Sequence, residues 1–544
     1  MNGHSLNRLA AFLTSLFLFS ACDQDTVKQQ NYSLEPLVLT GWQYPTVMQG
    51  THIGLSGTGF LPPELGHHTL QIETNGTMIT VPLTWVGPNQ LEYIVDGQLL
   101  SVLPADSTTH DTIFTVRRIL DETEKTDAFA FTDTLTVVSN LTPQVTQIIT
   151  PDDVMYPGDT ITLKGDGFLT KGEGNSVVIL KGTFETISPP ETRVVQPVLP
   201  LAGTDRNTIQ FTLTPDVFGL LPGTFKGQIQ ISNETNSSTI VGAELDGVVR
   251  QLLPPRIDTV SPAVISRGQL LTAQGRGFLA TDPFYETTTL IRAEGEFTFS
   301  QTSESRLLAG PTALALFPDQ FYSNKRMDYV VRVSMTPSGE VEGLGLMVGG
   351  FTGTVSPMLI SGDQTILGQG TAVSLVIAPQ RQVIFVKFLP GFSATLEEMG
   401  LGLVEEQIKA RILAVCKRDY DGVNIEFRDT RPTDYAEYSV IEVGGEDPNQ
   451  AGLFGLDNTA GKDVGNLRFN DVIGGSNAES REDGYYAFGG VFVRSFFQLS
   501  PTLYGAEALP IASPRFDQIF GLFMPAMNGN PIDYTDFAGP LQQW

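Results

Sequence analysis

Cys22 follows Ser20 and Ala21 at the end of an apolar run, residues 9–19. The run behind that thiol reads as an export signal. Such a signal has a charged start, here Arg8, an apolar stretch of roughly 7–15 residues and a small-residue cleavage site. The run is too short to span a bilayer. The other cysteine, Cys416, falls on an apolar helical stripe with Ile412 and reads as a buried structural thiol rather than a nucleophile. A single remaining thiol cannot form an internal disulfide, so stability must come from cores.

The other reactive residue types do not assemble into a catalytic set. The five histidines, His4, His52, His67, His68 and His110, all lie within the signal and the first 110 residues. His67 and His68 are expected as a loop pair with no chelating role, since adjacent strand residues point to opposite faces. Asp419, Asp421 and Glu426 lack a spacing that fixes a catalytic pair. Asp457, Asn458 and Asp471 read as solvated loop groups, with a calcium site as the alternative. Trp42, Trp85 and Tyr44 read as sandwich core residues, with a sugar-stacking surface as the alternative. The sequence has no G-x-S-x-G and no P-loop. No catalytic, metal or cofactor residue is assigned.

Phe19-Ser20-Ala21-Cys22 resembles the lipobox of bacterial lipoproteins, with Phe19 where that pattern usually has Leu. The resemblance implies a diacylated Cys22 that becomes the first residue after cleavage of residues 1–21. Two or three acyl chains anchor stably where one does not. Residues 22–35 carry no periodic apolar pattern and read as a tether. The expected location is the cell envelope, with the membrane as a partner through the lipid: outer membrane, periplasmic face of the inner membrane, or cell surface. Removing residues 1–21 removes Arg8 and no anion, taking the net charge from −27 to −28. That charge excludes nucleic acid as a partner held by bulk electrostatics.

A repeat organises the middle of the chain. Gly50, Gly57, Gly59 and Phe60 recur as Gly158, Gly165, Gly167 and Phe168, and again as Gly268, Gly275, Gly277 and Phe278. Each copy reads G-x6-G-x-G-F, with 108 residues between the first two phenylalanines and 110 between the next two. The first glycine makes a turn into a strand, and the next two permit positive φ or close backbone approach. The phenylalanine anchors a core. Short strands separated by turns come after each motif, in the first copy over residues 69–73, 78–85, 90–95 and 111–117, which argues for a β-sandwich per unit.

The run Ile257-Asp258-Thr259-Val260-Ser261-Pro262, continued by Gly268 and Gly275-Arg276-Gly277-Phe278, resembles the IPT/TIG family. The resemblance covers roughly residues 36–355 and implies three immunoglobulin-like units, at 36–141, 142–253 and 254–359. Members of that family serve as spacers or adhesive modules. No binding residue is carried over.

Residues 360–544 read differently. A strand at 383–389, a helix opened by a capping box at Thr395 to Glu398 and running to about Arg418, and strands at 423–427 and 438–443 imply a βαβ unit. Arg418-Asp419-Tyr420-Asp421-Gly422-Val423-Asn424-Ile425 and Gly452-Leu453-Phe454-Gly455-Leu456-Asp457 resemble the front of a metzincin-type zinc peptidase domain. The helix that would supply its metal ligands, H-E-x-x-H, is absent. Zinc is implied only if such a helix follows beyond Trp544.

The expected fold class is therefore mainly β: three tandem immunoglobulin-like sandwiches followed by a smaller α/β domain. The expected function is a non-catalytic envelope lipoprotein whose units space out or adhere, with a protein or glycan ligand. A surface-tethered zinc peptidase cut short before its catalytic helix and a glycan-binding envelope lipoprotein are the alternatives.

Overall fold

The computed structural model describes residues 35–528, apart from 44, 75, 104, 106–107, 121–125, 333, 336–340, 459–471 and 474–486. The export signal, Cys22, Tyr44, Asp471 and Trp544 lie outside the described residues. The chain is mainly β, as three sandwiches in succession and then a smaller α/β layer.

In the first unit one long strand, Thr77–Gly87, serves both layers of the sandwich. Residues 77–83 pair with 68–74, whereas Thr84 and Trp85 pair with Glu92 and Leu91. The core between the layers joins Leu55 and Leu91 to Leu70, Ile72, Phe114 and Val116. Side chains alternate along these strands, so each contributes every second residue to the core.

The second and third units each stack a small sheet on a seven-stranded one. In the second, Thr208–Thr212, Thr160–Asp166 and Gln144–Ile149 form the small layer. In the third, the layer orders Arg256–Ser261, Leu270–Arg276, Arg326–Val330 and Gln320–Ser323. In all three units a two-residue strand pairs in parallel with the unit's closing strand: Thr46–Val47, Val154–Met155 and Val264–Ile265. Each opening segment therefore crosses from one layer to the other, tying the two together at the edge.

This pairing corrects the expected end of the third unit at residue 359. Ser361 pairs with Gln364 across a hairpin turn, and Thr371–Ile377 pairs with residues 349–355. That closing strand sends Leu375 and Ile377 into the third core. The change of texture near 360 is a turn inside a sheet, not a linker.

Beyond it, Gln382–Phe388 sits between Ile425–Arg428 and Ser439–Gly444, parallel to both. The βαβ expectation holds, but its helix is two. Pro390–Glu398 starts at a proline and stops before Gly400, whose φ is +71°. Glu405–Asp419 follows after a short 3-10 turn. Thr395 is thus no cap. It lies inside the first helix and donates its hydroxyl to the Gly391 carbonyl at 2.8 Å. Ile408, Ile412, Leu413 and Cys416 lie half-buried against the sheet core of Ile384, Val386, Phe427 and Val443. Among the described residues no helix is long and apolar enough to cross a membrane.

Candidate functional site

Nine of the twelve repeat residues, the second and third glycines and the phenylalanine of each copy, converge on one local structure, built three times. Gly57, Gly165 and Gly275 lie where their strand passes under the opening strand of the unit. A Cβ on them would sit 2.2, 1.8 and 1.9 Å from the carbonyl oxygens of Val38, Gln144 and Arg256. The same Cβ would meet the Cζ of Phe60, Phe168 or Phe278 at 2.9, 2.6 and 2.8 Å. The glycine is the space into which the ring folds back, and all three rings are buried. Opposite it, the opening strand shifts register in every unit, a β-bulge at the crossing. Gly59, Gly167 and Gly277 then turn the chain at φ of +77°, +71° and +82°.

The first glycines do something further. Gly50, Gly158 and Gly268, at φ of +88°, +74° and +82°, shape a turn at the far end of each unit. Their N–H groups donate to the carbonyls of Val95, Leu213 and Val331. The residue after each glycine closes the turn with its side chain. Thr51 Oγ1 accepts from Met48 N at 2.9 Å, Asp159 Oδ2 from Tyr156 N at 2.9 Å, and Gln269 Oε1 from Ser266 N at 3.1 Å.

Each turn abuts the next unit. At the first joint, the Thr51 hydroxyl donates to the Glu173 carboxylate, which also pairs with Arg206. The Glu173 side chain is fully buried there. Arg206 reaches back to the Thr46 carbonyl at 3.2 Å. Gly50 and Gly172 are so close that a Cβ on either would strike the other's carbonyl oxygen.

At the second joint, Asn324 donates to Asp159 Oδ1 at 2.8 Å, and Arg276 meets Asp152 at 2.6 Å with its guanidinium 4.8 Å from the Tyr156 ring. Burial raises the Asp159 carboxyl above its ordinary range, against the lowering by its hydrogen bonds and Arg276. Tyr285 adds a bond to Asp216 at 2.8 Å.

The third joint is a backbone clasp. The N–H groups of Ala436 and Glu437 donate to the Gly268 carbonyl, Leu270 N donates to the Asp434 carbonyl, and the Ser266 and Tyr435 hydroxyls meet at 2.9 Å. A cleft of about 390 Å³ flanks this clasp, lined by Ser261, Pro262, Gln269, Leu270, Thr272, Arg326, Asp328, Thr433 and Asp434. Sequence reasoning found the turn glycines but not Glu173, Arg206, Asn324 or Tyr435, which lie outside the motif and have no common spacing.

The remaining candidates stay apart. His67 and His68 are on the strand Gly66–Thr74, not in a loop, with His67 exposed and His68 buried. His68 Nε2 accepts from Leu61 N at 3.2 Å, and its pKa is lowered to about 4 by burial first, then by Arg118 and His67. His52 bonds Glu92 at 2.8 Å. Trp42 packs tilted against Phe114, with ring centroids 4.6 Å apart, and donates to Asp133 at 2.6 Å, and Trp85 lies against the same core, so neither offers a stacking platform. Burial raises the Cys416 thiol pKa, and Asp419 raises it further. Asp419 pairs with Arg418, while Glu426 pairs with Arg428 and Arg381, so the paired acids do not face one another. Asp421 is exposed, and Asn458 is buried near Ala487, to which it donates at 3.0 Å. Among the described residues no group of three or more His, Cys, Asp or Glu side chains is placed to hold a metal ion.

No family model matches the chain, and no curated protein matches it. Solved structures with similarity include one described for host cell surface retention of a 1.5-MDa bacterial ice-binding adhesin, at 14% identity, covering 64% of this chain and 99% of that one, with a TM-score of 0.14. Another is SGBP-B of a Bacteroides ovatus mixed-linkage glucan utilization locus, in complex with a heptasaccharide, at 11% identity, 61% and 65% coverage and a TM-score of 0.17. A third is the plexin A4 extracellular region, at 10% identity, 65% and 35% coverage and a TM-score of 0.20. At these identities and scores the likenesses carry no functional argument, and the fold rests on the strand pairing itself.

Proposed function

We propose that this chain is a non-catalytic cell-envelope lipoprotein. Acylated Cys22 anchors it, and three IPT/TIG-like units form a stiff spacer that holds the C-terminal domain away from the membrane. The observation that carries the reading is the recurrence of one joint. Three successive turns, at Gly50, Gly158 and Gly268, are each closed by the following side chain and each engaged by the next unit. Units joined by flexible linkers have no reason to place the same turn at every junction. Opening the first joint would also cost the buried Glu173 carboxylate its bond from the Thr51 hydroxyl, and Arg206 its bond to the Thr46 carbonyl, while the Glu173–Arg206 pair stays within the second unit.

Two measurements test it. Labelled palmitate fed to expressing cells should enter the wild-type chain and not a Cys22→Ala variant, and an unlabelled wild type ends the anchoring claim. Small-angle scattering of the full chain should report one extended particle with a narrow distance distribution. A profile typical of beads on a flexible string ends the spacer claim.

A further inference from the structure

The cleft beside the third joint has a construction of its own. Its volume, about 390 Å³, lies within the roughly 300–1,000 Å³ of small-ligand sites. The floor is the outer face of the third unit's four-stranded sheet. Ser261 pairs with Thr272, and Thr272 pairs with Asp328, so the three side chains share that face. Pro262 and Leu270 add apolar surface, and Thr433 and Asp434 reach across from the C-terminal domain to form the far wall.

The charges around the cleft are held by partners. Asp328, fully buried, takes Nε and Nη2 of Arg326 at 3.3 and 3.0 Å, which fixes the guanidinium plane. The Tyr322 ring supports the same guanidinium at 4.4 Å. Opposite, Asp434 is gripped by both terminal nitrogens of Arg428, at 2.5 and 3.1 Å. Burial alone would raise the Asp434 carboxyl, but the bonds and charge of Arg428 bring it below its ordinary range. The walls are therefore polar and rigid, and their charges are already neutralised.

We propose that this cleft binds a neutral, hydroxyl-rich ligand, a short saccharide. The Ser261 and Thr272 hydroxyls can each donate and accept, which suits a polyol. Pro262 and Leu270 offer apolar contact to the C–H face of a sugar ring. Arg326 is the one cation among the lining residues, and its pairing with Asp328 disfavours an anionic ligand such as a nucleotide. A peptide is disfavoured because the floor is a sheet face. Leu270–Arg276 is laddered on both sides, and Pro262, at the outer strand, has no N–H to extend the sheet. The inference does not rest on the spacer reading, since the cleft's ligand and the anchor's lipid are measured separately.

The test is calorimetric titration of the purified full chain with cellohexaose, maltohexaose, laminarihexaose and mannohexaose, and with an uncharged Gly/Ser hexapeptide. At least one saccharide should bind. Thr272→Arg, which fills the floor, and Thr433→Arg, on the exposed wall, should each weaken it about tenfold or more, ~1.4 kcal/mol, without changing the melting temperature. If Thr272→Arg fails to fold, Thr433→Arg alone decides. Absence of binding by all four saccharides overturns the proposal. So does binding that a folded variant leaves intact, or binding of the peptide alone.

Discussion

Thr51 closes its own turn by accepting from Met48 N and, through the same hydroxyl, donates across the first joint to Glu173. One oxygen therefore couples the shape of a turn in one unit to a buried ion pair in the next. Removing Arg206 from that cluster leaves a fully buried carboxylate without its cation, a loss of about 3–5 kcal/mol. Arg206→Met should lower the urea midpoint of the second unit by a matching amount, and adding Glu173→Leu should restore most of it. Thr51→Val should cost less, about 1–2 kcal/mol, while opening the first joint to limited proteolysis. A double variant no more stable than Arg206→Met would show that the stranded carboxylate is not the source of the loss.

The middle glycines should tolerate no side chain. A Cβ at residue 165 would lie 1.8 Å from the Gln144 carbonyl oxygen and 2.6 Å from the Phe168 ring, so strand and anchor cannot both stay in place. Gly165→Ala should unfold the second unit or destabilise it about as much as Phe168→Ala, roughly 3–5 kcal/mol. Gly97→Ala is the control. It meets nothing within 4 Å at the start of a helix and should be neutral or stabilising by about 0.5–1 kcal/mol. Equal behaviour of the two variants in thermal melts would remove the steric account.

These glycines also show what the sequence made legible. Their spacing was readable because backbone crowding leaves glycine as the one residue that fits, whatever the rest of the unit does. The partners across the joints were not, because Glu173, Asn324 and Tyr435 come from different loops and are chosen by three-dimensional contact. The single expected helix after residue 389 failed for a local reason. Thr395 and Glu398 have the spacing of a capping box, yet Pro390 had already started the helix. The tryptophans went the other way, since core packing is the common fate of such residues in sandwiches and is where Trp42 lies.

His68 predicts a pH dependence confined to the first unit. Its ring is neutral in the folded chain, with a pKa lowered to about 4 from 6.5, mainly by burial. Because Nε2 accepts from Leu61 N, protonation would break that bond as well as charge a buried ring. The unfolded chain takes up the proton first. The contribution of the neutral ring is therefore whole above the unfolded pKa of about 6.5 and lost as pH falls from there towards 4. Urea midpoints of the first unit should drop across that window, and His68→Gln, which retains an acceptor, should flatten the drop. An equal slope in both proteins would assign the acid sensitivity elsewhere.

The third unit's true end can be tested by cutting the chain. A fragment of residues 254–359 loses Thr371–Ile377, which pairs with residues 349–355 along their length and in parallel with Val264–Ile265. Without it, a central strand becomes an exposed edge, and the core loses Leu375 and Ile377 from beside Phe351. Two buried aliphatic side chains contribute about 3–6 kcal/mol together, comparable with the whole stability of a small domain. The 254–359 fragment should therefore be insoluble or unfold without cooperativity, whereas 254–379 should melt in one transition. Cooperative melting of the shorter fragment would mean that the hairpin at 361–364 leads into a dispensable strand.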